Sequence, residues 1–232
     1  MPARESEAFI LRSYPFGEAD LIVSYFTRDM GKLRGVAKSV RRPKSRFGAG
    51  LERLAHVKIF YYQKQTVELT KIDKAELIGP PLTMRSDYPV SVALDYIAEV
   101  AEETLPEHEP DDSHFRLMAL TLGEIAKGVH EGSPNGQGVP GWMWRALTYF
   151  SLWTVRLGGW LPPMDVCLET GVLLGPVETA WFERSYDGLM SADIKTACSW
   201  ALSPESRALA RAMLRTALPT LPERDWGGET AR

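Results

Sequence analysis

The chain has 232 residues, of which 44% are hydrophobic and 25% charged, with a formal net charge of −3. These values exclude wholesale disorder and leave room for two domains, each able to bury a core of its own. No apolar run reaches the roughly 18 residues that span a bilayer, and the opening MPARESEAF lacks a signal-peptide core; neither of the two cysteines, Cys167 and Cys198, sits in a CxxC pair. A cytoplasmic protein without a disulfide framework is therefore expected.

From Glu7 to about Ile78 short β-type runs alternate with turn residues. Ala8 to Ser13 is the first run, and Tyr14-Pro15-Phe16-Gly17 breaks it. Asp20 to Thr27 is the second, with Leu21, Val23 and Tyr25 alternating against Ile22, Ser24 and Phe26. Arg28-Asp29-Met30-Gly31 supplies a tight connection in which Gly31 is free to take positive φ. Lys32 to Lys38 is the third run: Leu33, Gly35 and Ala37 fall on one face, and Lys32, Arg34, Val36 and Lys38 on the other. A loop over Ser39 to Gly50 follows, then strands over Glu52 to Tyr62 and Thr66 to Ile78. Five strands with the longest loop between the third and fourth predict a partly open barrel of the OB type over residues 1–79, with an SH3-like barrel as the alternative.

The stretch from Arg28 to Arg46 holds eight cations and one acid, Asp29, a formal +7 that leaves −10 on the rest of the chain. Charges gathered in this way repel one another, and a polyanionic partner is the simplest reason to keep them together.

Gly79-Pro80-Pro81 is a stiff break, after which the period changes from 2 to about 3.6. Val90, Ala93, Leu94, Ile97, Val100 and Ala101 make one helical face, and Phe115, Met118, Leu122 and Ile125 another. Between them Glu99 to Asp112 holds seven acids and no Lys or Arg, which reads as a solvated helix end and loop. Trp142 to Leu157 is apolar nearly all round, predicting a buried helix ended by Gly158-Gly159. All seven tryptophans lie after residue 140, so the second half, residues 80–232, needs a substantial core. Leu161 to Asp193 is irregular. Helices are expected over about Ala192 to Leu202 and Pro204 to Leu218, the latter with Ser203 as its N-cap.

The segment AFILRSYPFGEADLIVSYFTRDMGKLRGVAKSVRRPKSRFGAGLERL resembles the start of the RecO family, bacterial mediators of DNA repair and recombination. Glu18-Ala19-Asp20, FTRDMGKLRGVAKSVRR and Phe47-Gly48 carry the likeness, which resumes at LGGWLPPMDVCLETG and SYDGLM. The resemblance implies an α+β chain: an N-terminal OB-fold that binds single- and double-stranded DNA, followed by an all-helical domain. It further implies strand annealing and loading of RecA onto DNA coated by the single-stranded DNA-binding protein, with RecR as a partner. Many members carry a four-cysteine zinc element. Here Cys167 matches its first position, Thr170 stands where the second cysteine belongs, and no later pair follows. One thiol cannot hold a tetrahedral zinc, so the region of about 160–192 is expected to be zinc-free, with no metal or other cofactor.

The candidate DNA contacts are Lys32, Arg34, Lys38, Arg41, Arg42, Lys44 and Arg46 on phosphates, with Phe47 stacking on a base. The competing reading of the cations is a solvated basic face, and that of Phe47, Phe60 and Tyr62 is scaffold packing. On the Trp142–Leu157 helix, Arg145, Tyr149, Leu152 and Arg156 share one stripe. That stripe fits either an acidic-hydrophobic tail, such as the single-stranded DNA-binding protein presents, or a helix face that snorkels two arginines. His56, His108, His114 and His130 are scattered, and neither a nucleophile constellation nor a phosphate-cradling Gly loop is present, so no enzyme is expected. An adaptor that meets an acidic protein surface and an RNA-binding barrel are the rival functions.

Overall fold

Apolar and polar residues alternate along Ala3–Phe16 (β1) and Asp20–Thr27 (β2), and in the computed structural model the two strands pair as an antiparallel ribbon. The structure describes residues 3–43, 45–63, 68–79, 88–131, 139–221 and 226. Gly31–Ala37 (β3) pairs antiparallel with β2, and His56–Tyr62 (β4) pairs with both the first half of β1 and Thr70–Leu77 (β5). A parallel pairing of β3 with β5 closes the barrel in the order β1-β2-β3-β5-β4, the OB arrangement. Inward positions such as Ile10, Val23, Tyr25, Leu33, Ile59 and Ile72 fill its interior. There the Tyr25 hydroxyl meets Thr70 Oγ1 at 2.7 Å, and burial pushes the phenol's pKa upward.

Two glycines are dictated by geometry. Gly31, at the β2–β3 turn, has φ +72°, and a Cβ there would strike the backbone of Glu109. Gly35 sits at the parallel contact, where a Cβ would strike the side chains of Thr70 and Ile72.

The break expected at Tyr14-Pro15 does not occur, and β1 runs on to Phe16. Pro15 is tolerated because β1 pairs with β4 only from Ala3 to Phe9, so from Arg12 onward its partner is β2 alone.

The chain forms two compact units, Met1–Val139 and Pro140–Arg232. The first extends past the strand-to-helix change at residue 79 because Tyr88–Thr104 (α1) and Asp112–Glu131 (α2) belong with the barrel. Phe115 of α2 packs on Phe9 and Phe26, with ring centroids 4.9 and 5.8 Å away. Asp111 caps α2: its Oδ1 accepts from the His114 N–H at 2.9 Å.

In the second unit Gly141–Leu157 (α3) buries Met143, Ala146, Tyr149 and Phe150, and Gly159 ends it at φ +77°. Pro204–Arg215 (α4) starts on Ser203, whose side chain accepts from the Ser206 N–H as expected. The helix expected over Ala192 to Leu202 is absent. Those residues turn and then form Trp200–Leu202 (β7), paired with Ala180–Phe182 (β6). Thr196 and Ser199 hydroxyls bond local N–H groups and Glu183, which offers the backbone an alternative to a helix.

Arg207 of α4 organises the irregular stretch before β6. Its buried guanidinium donates to the carbonyls of Met164, Leu174, Gly175 and Glu178 at 2.7–3.2 Å. Asp165 lies 3.8 Å away and pairs with Arg211.

Candidate nucleic-acid interface

The basic segment divides in two. In its first part the acidic run between α1 and α2 meets the cations of β3 directly, instead of standing in solvent as expected. Lys32 is only 6% exposed, and its Nζ donates to the Glu102 carbonyl at 2.5 Å. Buried Glu102 also accepts from Ser24 Oγ at 2.5 Å and lies 3.5 Å from Arg34. Glu107 pairs with Arg34 at 3.2 Å, and the His108 N–H donates to the Lys32 carbonyl. Arg28, the first cation, pairs with Glu7 and Asp112 at 3.2 and 2.9 Å. Lys32 is thereby taken out of the phosphate-contacting set. Arg34 stays half-exposed but carries two internal carboxylates.

In the second part Lys38, Arg41 and Arg42 are exposed, and none of them forms an ion pair among the described residues. The loop is anchored by backbone: the Ser39 N–H donates to Asp20 Oδ1 at 2.7 Å and the Arg41 N–H to the Ala19 carbonyl at 3.0 Å. The side chains are thus free to face solvent while the backbone is held. Arg46 pairs with Asp73 of β5 at 3.2 Å. Lys44 lies outside the described residues.

Phe47 was expected to reach a base. It is 3% exposed and belongs to the barrel core with Leu51, because the loop folds back to plug the barrel. Arg46 covers its ring at 5.3 Å. Phe60 and Tyr62 are half-buried on the outer face, with Lys58 and Lys74 over the first ring and Lys71 over the second at 5.5–6.0 Å.

Sequence reasoning passed over Arg12, Tyr14 and Phe16. Tyr14 and Phe16 are 39% and 48% exposed, and the Arg12 guanidinium lies 5.2 Å from the Tyr14 ring centroid. The i, i+2, i+4 spacing was there to be read, but Pro15 was taken to interrupt it.

On α3 the proposed stripe is only partly on the surface. Tyr149 is 5% exposed, its phenol pKa raised by burial, so it cannot meet a partner's tail. Arg145 and Leu152 are half-buried. Arg156 is exposed and lines a cavity of about 380 Å³ with Trp153, Arg211 and Arg215.

With this geometry in place, comparison with known proteins is decisive. Residues 1–81 match the family described as Recombination protein O N terminal, and residues 85–232 match Recombination protein O C terminal. The chain belongs to the RecO family. The DNA repair protein RecO of Koribacter versatilis is 40% identical over 223 residues, covering 96% of this chain and 85% of that protein. The RecO of Bifidobacterium adolescentis is 33% identical over 98% of this chain and 85% of its own length, and that of a Nocardioides species 31% over 90% and 81%. A role in DNA repair and recombination follows from this membership.

The zinc element that the RecO resemblance implies does not fit this donor set. Cys167 is buried, Cys198 is exposed, and no group of three or more His, Cys, Asp or Glu among the described residues is placed to hold a metal ion. Burial raises the pKa of the Cys167 thiol, but hydrogen bonds from Thr170, Ser191 and Glu169 outweigh it and bring it down to about 7. No helix among the described residues is long and apolar enough to cross a membrane.

Proposed function

We propose that this RecO protein is a non-catalytic cytoplasmic mediator that binds single- and double-stranded DNA without sequence specificity through Lys38, Arg41, Arg42, Lys44 and Arg46. The observation that carries the reading is the division of the basic segment: its first cations have carboxylates of their own chain, and those of the loop do not. Cations held in place by backbone bonds, with side chains free, suit phosphate contact, which positions a strand without reading its bases.

Holding a strand beside a partner raises their effective concentration, which is what annealing and the loading of RecA onto DNA coated by single-stranded DNA-binding protein require. RecR is the expected co-factor protein. In the second unit Arg156, with Trp153, Arg211 and Arg215 around its cavity, is the docking point for an acidic-hydrophobic tail. Normal binding of such a tail by an Arg145→Ala, Arg156→Ala variant would remove that part of the proposal.

The central test is fluorescence anisotropy of labelled oligo-dT and a duplex against the wild type and an Arg41→Glu, Arg42→Glu, Lys44→Glu variant across a salt series. With three or four phosphates neutralised, the wild-type slope of log K on log salt for a single strand should be about −2 to −3. The variant should bind weakly with a flatter slope. Unchanged binding by a folded variant would favour an adaptor that meets an acidic protein surface.

A further inference from the structure

The loop cations have an aromatic neighbour that electrostatics alone does not explain. From Arg12 to Phe16 strand β1 pairs only with β2, so its other edge is open, and Arg12, Tyr14 and Phe16 lie on one face by alternation. Two large aromatic side chains exposed on a short, proline-containing hairpin end contribute little to a core. Phe16 is in register with Asp20, whose carboxylate holds Ser39, and the adjoining Ala19 carbonyl holds the Arg41 N–H. The hairpin end and the free cations Lys38, Arg41 and Arg42 are therefore parts of one locally bonded structure. The Arg12 guanidinium stacked on Tyr14 adds a further positive charge to it.

We infer that Tyr14 and Phe16 form a stacking platform for the unpaired bases of a single strand whose phosphates lie on the neighbouring loop cations. The inference rests on the DNA-binding reading above and adds to it a preference for single strands. Aromatic rings stack on any base, and a duplex offers no exposed base faces to them, so phosphate contacts serve both forms of DNA while the platform serves one. Charge complementarity selects nucleic acid over an apolar protein surface as the occupant, since the aromatics are bordered by unpaired cations.

The test uses the full-length chain and three labelled probes: oligo-dT, an abasic strand of the same length, and a duplex. A Tyr14→Ala, Phe16→Ala variant should lose about tenfold or more in affinity for oligo-dT and keep its affinity for the abasic strand and the duplex. A Tyr14→Trp, Phe16→Trp variant should restore oligo-dT binding. Equal losses on all three probes would overturn stacking, and so would an unchanged oligo-dT affinity. If the alanine variant binds oligo-dT normally while Arg41→Glu, Arg42→Glu does not, the platform fails and the DNA-binding reading stands. If wild type binds none of the probes, both fail. Loss of a protein partner with DNA binding intact would assign the aromatics to that partner instead.

Discussion

The stretch from Arg28 to Arg34 and the stretch from Lys38 to Arg46 are both cationic in sequence, yet they have opposite fates. In the first, Arg28, Lys32 and Arg34 are tied to Glu7, Glu102, Glu107 and Asp112. In the second, Lys38, Arg41 and Arg42 stay exposed on a loop whose backbone is pinned. A run of charge is thus not one feature. Its strand portion holds the helices on the barrel, and only its loop portion remains to meet a polyanion.

This contrast is most sharply broken at Glu102. Glu102→Ala strands Ser24 in a buried setting and strips Arg34 of a carboxylate, and should cost about 3 kcal/mol of stability in urea denaturation followed by circular dichroism. Arg41→Glu with Arg42→Glu should do the reverse: the same denaturation curve as wild type, but an affinity for oligo-dT lower by about 10- to 100-fold in low salt.

A smaller effect is expected at Asp111. Burial opposes its ionisation, but hydrogen bonds from His114 hold the carboxyl below its ordinary 3.8, so it stabilises the fold above that value and the contribution fades as pH falls through the lowered pKa. Asp111→Ala should therefore be about 1 kcal/mol less stable at neutral pH. In pH-dependent melts that gap should close in acid.

The smallest change sharpens the comparison instead of breaking it. Asp73→Asn frees Arg46 from its internal partner, and should strengthen single-strand binding a few-fold and steepen the salt slope by about 0.7. An unchanged slope would show that Arg46 does not reach phosphate.

Local pattern was enough for the barrel. The alternation of Val23, Tyr25, Leu33 and Ala37 named the core-facing side, and the loop between the third and fourth strands was visible as Pro, Gly and charge. Pairings across long separations were not legible. Lys32 and Arg34 meet Glu102 from about 70 residues away, and nothing in the period of either segment records that encounter. Phe47 was misplaced for a related reason: in a loop no alternation fixes where a side chain points, so its charged neighbours said nothing of its burial. Lys32 shows the limit of alternation itself, since it sits on the outward face as expected and that face is covered by α1.

Arg207 leaves a different mark on the molecule. The stretch from Met164 to Glu178 has almost no regular structure, and four of its carbonyls converge on a single side chain that comes later in the chain. Its shape is therefore written last: until α4 exists, those carbonyls have no donor to gather round. A guanidinium keeps its charge throughout the physiological pH range and has no thiolate to oxidise or metal to surrender. A stretch clasped in this way should hold its form in chelator and peroxide alike, and come undone all at once when α4 is cut away.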